Sequence, residues 1–220
     1  MLIPIARSSA ASAMLASALV QTALPAMSAS GPFASPVYKK MVARSAGLRS
    51  FEANIEVHTK LRGFPPVSLT FRGTTYFQAP DRSSVKFKNV PGPLKGMVKD
   101  SPSVAPAAVW PSRYQVKLVS DTGDQTTFHL VPKSGDDPLA SADVVVDDQS
   151  GLVQQYNFAN KNGSMVTTNL TYEQVGKYML VASETGSANG RGYKSDVTTS
   201  FSGYRVNASI PPSAFATAGP

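Results

Sequence analysis

Few residues in this chain have the types and spacing that chemistry needs. His58 and His129 are the only histidines, and neither has a second ligand at metal spacing. There is no cysteine, which removes disulfides, thiolate metal sites, a cysteine nucleophile and a lipid anchor on cysteine. Paired carboxylates can do acid–base work, but Asp136-Asp137 and Asp147-Asp148 fall between strand-like runs, where aspartate favours the turn itself. No G-x-S-x-G elbow, P-loop or dinucleotide-binding glycine pattern occurs. The sequons at Asn162, Asn169 and Asn207 are short enough to arise by chance. Nothing here points to catalysis, metal or a cofactor, and the expectation is a protein that binds.

The elements supply the reason. Residues 51 to 61 alternate without a break: Phe51, Ala53, Ile55, Val57, Thr59 and Leu61 point one way, and Glu52, Asn54, Glu56, His58 and Lys60 the other. A sheet with one apolar face must cover it with another part of the chain or with a ligand. Looser alternation recurs at Val67 to Phe77, Ser84 to Lys88, Tyr114 to Val119, Thr127 to Val131, Ala142 to Val146, Val153 to Asn160, Ser164 to Gln174, Lys177 to Glu184 and Ser195 to Asn207. Tight turns separate the runs, among them Asp121–Asp124, Asp147–Gly151 and the Asn162-Gly163 hairpin, and Thr185 to Gly192 reads as a Gly/Ser-rich loop. The pattern predicts a mainly β (α+β) single domain, an antiparallel meander of about ten strands. One short amphipathic helix is expected over 36 to 47, with Ser35 as cap, Pro36 in the first turn and Gly47 at the stop.

Residues 90 to 111 hold five prolines yet also Leu94, Met97, Val98 and Trp110. Proline prevents regular sheet, and the segment is too apolar for a plain linker. It is expected to lie as a lid over the concave, apolar face.

Residues 1 to 29 read as a cleavable signal peptide: Arg7, an apolar run of about 15 residues, then Pro25 and small residues through Ser30. The run is short of the roughly 20 residues that span a membrane, so the mature domain, 30 to 220, is expected in the periplasm without a lipid anchor. The net charge is +7. From Ser30 to Lys99 twelve Lys/Arg face three Asp/Glu, and from Asp100 onward eight face eleven. That asymmetry suits an anionic membrane surface or an acidic protein partner rather than nucleic acid, since the basic residues are spaced singly.

In order along the chain come a helix ending near Leu48-Arg49-Ser50-Phe51, the alternating strand, G-T-T-Y-F-Q-A-P-D-R at 73 to 82, H-L-V-P-K at 129 to 133, V-V-V-D-D-Q-S-G-L-V at 144 to 153 and V-N-A-S-I-P-P-S-A-F at 206 to 215. This order of parts resembles the LolA/LolB-like superfamily of periplasmic lipoprotein carriers and outer-membrane lipoprotein-sorting proteins. The resemblance implies a half-open antiparallel barrel with helix and lid on its concave side. It also implies a monomeric, non-enzymatic carrier of an acyl chain or lipoprotein. The implied cavity is lined by Phe51, Ile55, Val57, Leu69, Phe71, Val85, Phe87, Val116 and Leu118. Where the carriers place an arginine before the strand-ending proline, this chain has Ala79. Related half-barrels also serve as periplasmic regulators that bind an anti-sigma factor, which is the alternative expectation.

Overall fold

The computed structural model describes residues 31–62, 66–88, 103–190 and 193–215. The expected signal peptide and the lid residues Leu94, Met97 and Val98 lie outside the described residues.

Among the described residues ten strands form one antiparallel sheet: β1 (Ser50–Arg62), β2 (Val67–Gln78), β3 (Arg82–Lys88), β4 (Tyr114–Asp121), β5 (Gln125–Pro132), β6 (Leu139–Asp147), β7 (Val153–Asn160), β8 (Met165–Val175), β9 (Tyr178–Gly190) and β10 (Tyr193–Val206). The order is β3-β2-β1-β10-β9-β8-β7-β6-β5-β4. It is therefore two meanders, β1 to β3 and β4 to β10, joined where the first strand pairs with the last. The sheet is open, and its two edges, β3 and β4, are consecutive in the chain. Residues 89 to 113 connect them. The Asp81 carboxylate at the β2–β3 turn accepts a charge-assisted hydrogen bond from Arg113, just ahead of β4, so an ion pair spans the seam.

One expectation is corrected. The Gly/Ser-rich stretch from Thr185 is a strand, not a loop: Thr185 to Gly190 pairs with β10, and Thr185 to Asn189 with β8 on the other side. Composition misleads because the glycine there serves the curvature. A Cβ on Gly186 would meet the Thr167 carbonyl oxygen at 2.1 Å, and one on Gly73 the Lys86 carbonyl oxygen at 2.3 Å. Both glycines sit on the face toward which the sheet curls, where a neighbouring strand approaches too closely for a side chain.

Helix α1 (Pro36–Arg44) begins at Pro36 as expected, and the chain leaves its last turn through Gly47 at φ +79°. Ser35 contributes no side-chain cap; its carbonyl accepts the Lys39 N–H. The helix is fastened to the β6–β7 loop. Lys40 Nζ donates to the carbonyls of Asp148 (2.6 Å) and Gln149 (3.1 Å), and Arg44 Nε to that of Ser150 (2.7 Å). Its apolar stripe of Val37, Tyr38 and Met41 enters a core with Trp110, Phe128, Leu130, Val144 and Phe158.

Candidate functional site: the concave face of an open half-barrel

Pairing registers define rows of residues on the inward face. One runs Val67–Leu61–Ser195–Ala188–Val166–Phe158–Ala142–Leu130–Val116, from β2 across every strand to β4. The next runs Leu69–Thr59–Val197–Gly186–Thr168–Tyr156–Val144–Phe128–Leu118. A third runs Phe71–Val57–Thr199–Glu184–Leu170. Beside them lie Phe87–Gly73–Ile55–Phe201, the pair Val85–Thr75 and the pair Phe51–Phe77. All nine cavity residues expected from the sequence therefore stand on one face.

That face is divided in two. Over β4 to β7 it is packed. Trp110 is 1% exposed, its ring lies 5.7 Å from Phe128 and 5.9 Å from Tyr38, and its Nε1 donates to the Ala105 carbonyl at 2.8 Å. Tyr38 Oη donates to the Ala107 carbonyl at 2.9 Å, tying helix to segment. Val116 and Leu118 pack against this core. Of the expected lid, Trp110 lies buried over the β4–β7 half.

Among the described residues the other half, β1 to β3 with β10, contributes none to that core. Ile55 and Phe71 are buried, whereas Phe51, Val57, Leu61, Leu69 and Phe87 are only partly covered. Val67 and Val85 remain 40% and 44% exposed. The aromatic rings there contact each other: Phe51 stacks on Phe77 with centroids 5.3 Å apart, and Phe71 meets Phe87 edge-on at 6.1 Å. Phe51, Ile55, Val57, Leu69, Phe71, Val85 and Phe87 are brought together here; Val116 and Leu118 are not among them.

The convex face is polar and internally paired. Arg72 and His58 both bond Glu56, Arg62 holds Asp196 through two bonds of 2.7 and 2.8 Å, and Arg205 holds Glu52 at 2.6 Å. Hydrogen bonds from Arg72 and from Arg62 keep the Glu56 and Asp196 carboxyls below the usual carboxylate range. His129 Nδ1 lies 2.6 Å from Asp143 Oδ1, a cross-strand pair that the sequence did not reveal. No group of three or more potential metal ligands gathers among the described residues.

Sequence reasoning also missed Glu184. It is the only charged side chain in the three inward rows, at the border between the packed and open halves. It has no hydrogen bond or ion pair among the described residues. Burial pushes its carboxyl above the usual range. The signal was available: Glu184 continues the inward alternation of β9, at the point where the sequence turns to glycine and serine.

An open antiparallel sheet curled around an apolar face defines a half-barrel. Solved structures share it: a putative outer membrane lipoprotein-sorting protein domain from Vibrio parahaemolyticus (TM-score 0.59, 13% identity, 81% of this chain and 94% of that one), a DUF1329 family protein from Desulfovibrio piger (0.57, 10%, 82% and 95%) and a LolA superfamily protein from Nitrosomonas europaea (0.53, 10%, 82% and 96%). The fold is LolA-like. The sequence itself matches no family model and no curated protein.

Proposed function

We infer that the protein is an exported, non-enzymatic carrier that shelters an acyl chain, free or on a lipoprotein, against the β1–β3 and β10 half of its concave face. The observation that supports this reading is the division of that face. The helix and Trp110 cover one half, while on the other Val67 and Val85 are exposed and Phe51, Val57, Leu61, Leu69 and Phe87 are partly so. Large apolar side chains gathered on a concave surface favour an apolar occupant. Each methylene buried there stabilises the complex by about 0.8 kcal/mol, so a chain binds without any polar contact. The fold's likeness to a lipoprotein-sorting domain supports the same substrate class.

Native mass spectrometry of the protein released gently from its own envelope tests it, with a co-purifying lipid adduct as the expected result. Leu69→Asp and Val85→Asp place a carboxylate on the accessible half without emptying the core. Both are expected to lose the adduct while keeping the far-ultraviolet circular dichroism of the wild type. Retention of the adduct by both folded variants contradicts the assignment.

A further inference from the structure

A carrier for bare acyl chains has no use for a charge on its inward face, yet Glu184 stands there. Its row neighbours are Thr199 and Leu170, and Val57 is the next residue beyond Thr199. The acids on the outward face of β1 and β10, Glu52, Glu56 and Asp196, each have an arginine partner. Glu184 has none among the described residues. The phenols near enough to interact with it electrostatically are Tyr156, Tyr172 and Tyr204. Two have committed their protons elsewhere: Tyr172 donates to the Val153 carbonyl at 2.7 Å and Tyr204 to the Val181 carbonyl at 2.6 Å. No hydrogen bond of Tyr156 or Thr199 reaches the carboxylate. Glu184 is partly exposed, but a carboxylate beside apolar side chains with no donor is less well satisfied than one in open water, and its place at the inner end of the apolar half puts it where the polar end of a bound chain would arrive.

We propose that Glu184 is the head-group subsite of this concave face, and that the ligand is an amphiphile with one alkyl chain and an N–H or O–H donor head, an amine or an alcohol, rather than a free carboxylate. This rests on the carrier reading above. The donor supplies the hydrogen bond that the fold withholds from Glu184, and an ammonium also neutralises it. A fatty-acid carboxylate would set two anions together in a poorly solvated place. The protein's overall charge of +7 acts in the opposite direction: non-specific attraction favours the anion, so a preference for the amine identifies the local carboxylate.

The test displaces the neutral fluorophore N-phenyl-1-naphthylamine with dodecylamine, dodecanol and laurate at pH 8, the ionic two below their micelle concentrations and the alcohol below its solubility limit. Wild type is expected to rank amine, then alcohol, then laurate, with at least about a tenfold span in apparent Kd between the ends. Glu184→Gln keeps the shape and removes the charge, and is expected to bring the three within about threefold. Equal binding of the three by wild type, or an unchanged ranking in Glu184→Gln, overturns the subsite while leaving the carrier intact. If the fluorophore does not bind, or no ligand displaces it, the carrier reading fails and the subsite with it. The wild-type ranking needs no variant, so misfolding of Glu184→Gln leaves the proposal open to refutation.

Discussion

Truncating a side chain in each half of the concave face should cost very different amounts. Phe128 is 0% exposed and meets both Tyr38 and Trp110. A phenylalanine buries about 150–250 Å², which at about 25 cal/mol per Å² corresponds to roughly 4–6 kcal/mol before relaxation. Measured Phe→Ala losses in cores run to about 3–5 kcal/mol. Phe128→Ala is therefore expected to cost about 4 kcal/mol. Val85 keeps 44% of its surface in water and belongs to the open half, so Val85→Ala should cost about 0.5 kcal/mol or less. The chain carries its own probe. Trp110 is the single tryptophan and is buried beside Phe128, so its fluorescence reports unfolding in urea. At about 2–4 °C per kcal/mol for a domain this size, the Phe128 variant should melt about 8–16 °C lower, and the Val85 variant within about 2 °C of wild type. Equal losses in the two variants would refute the division of the face, because both halves would then be packed cores.

Gly73→Ala and Gly186→Ala each force a methyl group onto a carbonyl oxygen of the adjacent strand; each should lower stability by about 1–3 kcal/mol in the same assay, and a neutral result would contradict the tight curl. Arg113→Ala breaks the ion pair across the seam, but the arginine is largely exposed, so the expected loss is under about 1 kcal/mol and should shrink in high salt. The pH dependence of Glu184→Gln follows from linkage. The native state binds this proton more tightly than the unfolded chain, since burial raises the carboxyl. The penalty is absent below the ordinary carboxylate range, grows as pH rises through it, and is complete above the raised value. Each tenfold gain in proton affinity on folding corresponds to about 1.4 kcal/mol of that penalty. The variant should thus melt above wild type at pH 8 and together with it near pH 4. A difference independent of pH would show that Glu184 is not desolvated as an anion.

Local pattern carried much of this structure. The alternation at 51 to 61 became β1, extended by one residue at each end, because a period of two with one apolar face admits few other solutions. Helix α1 was legible from its proline, its stripe and Gly47. What failed was non-local. The pairing of β1 with β10 joins the ends of the domain, and no short window of sequence contains it. Thr185 to Gly190 looked like a loop because Gly186 and its small neighbours suit turns; only the strands on both sides make them a curving strand. Ending β9 at Glu184 also hid the fact that this acid faces inward. Periodicity placed all nine cavity residues on one face but could not say which stretch of it α1 would occupy, since that depends on the anchors of Lys40 and Arg44 to a loop more than a hundred residues away.

An alkyl chain should lie against β1, β2, β3 and β10 and not against β4 to β7, and photolabelling reads that placement residue by residue. A twelve-carbon alcohol bearing a diazirine near its chain end is bound and irradiated, and its attachment sites are mapped by peptide mass spectrometry. Labels are expected on peptides carrying Leu61, Leu69, Phe71 and Phe87, with none on the peptide carrying Phe128 and Leu130. Labels confined to the convex face, or spread equally over both halves, would contradict a ligand held by the open half.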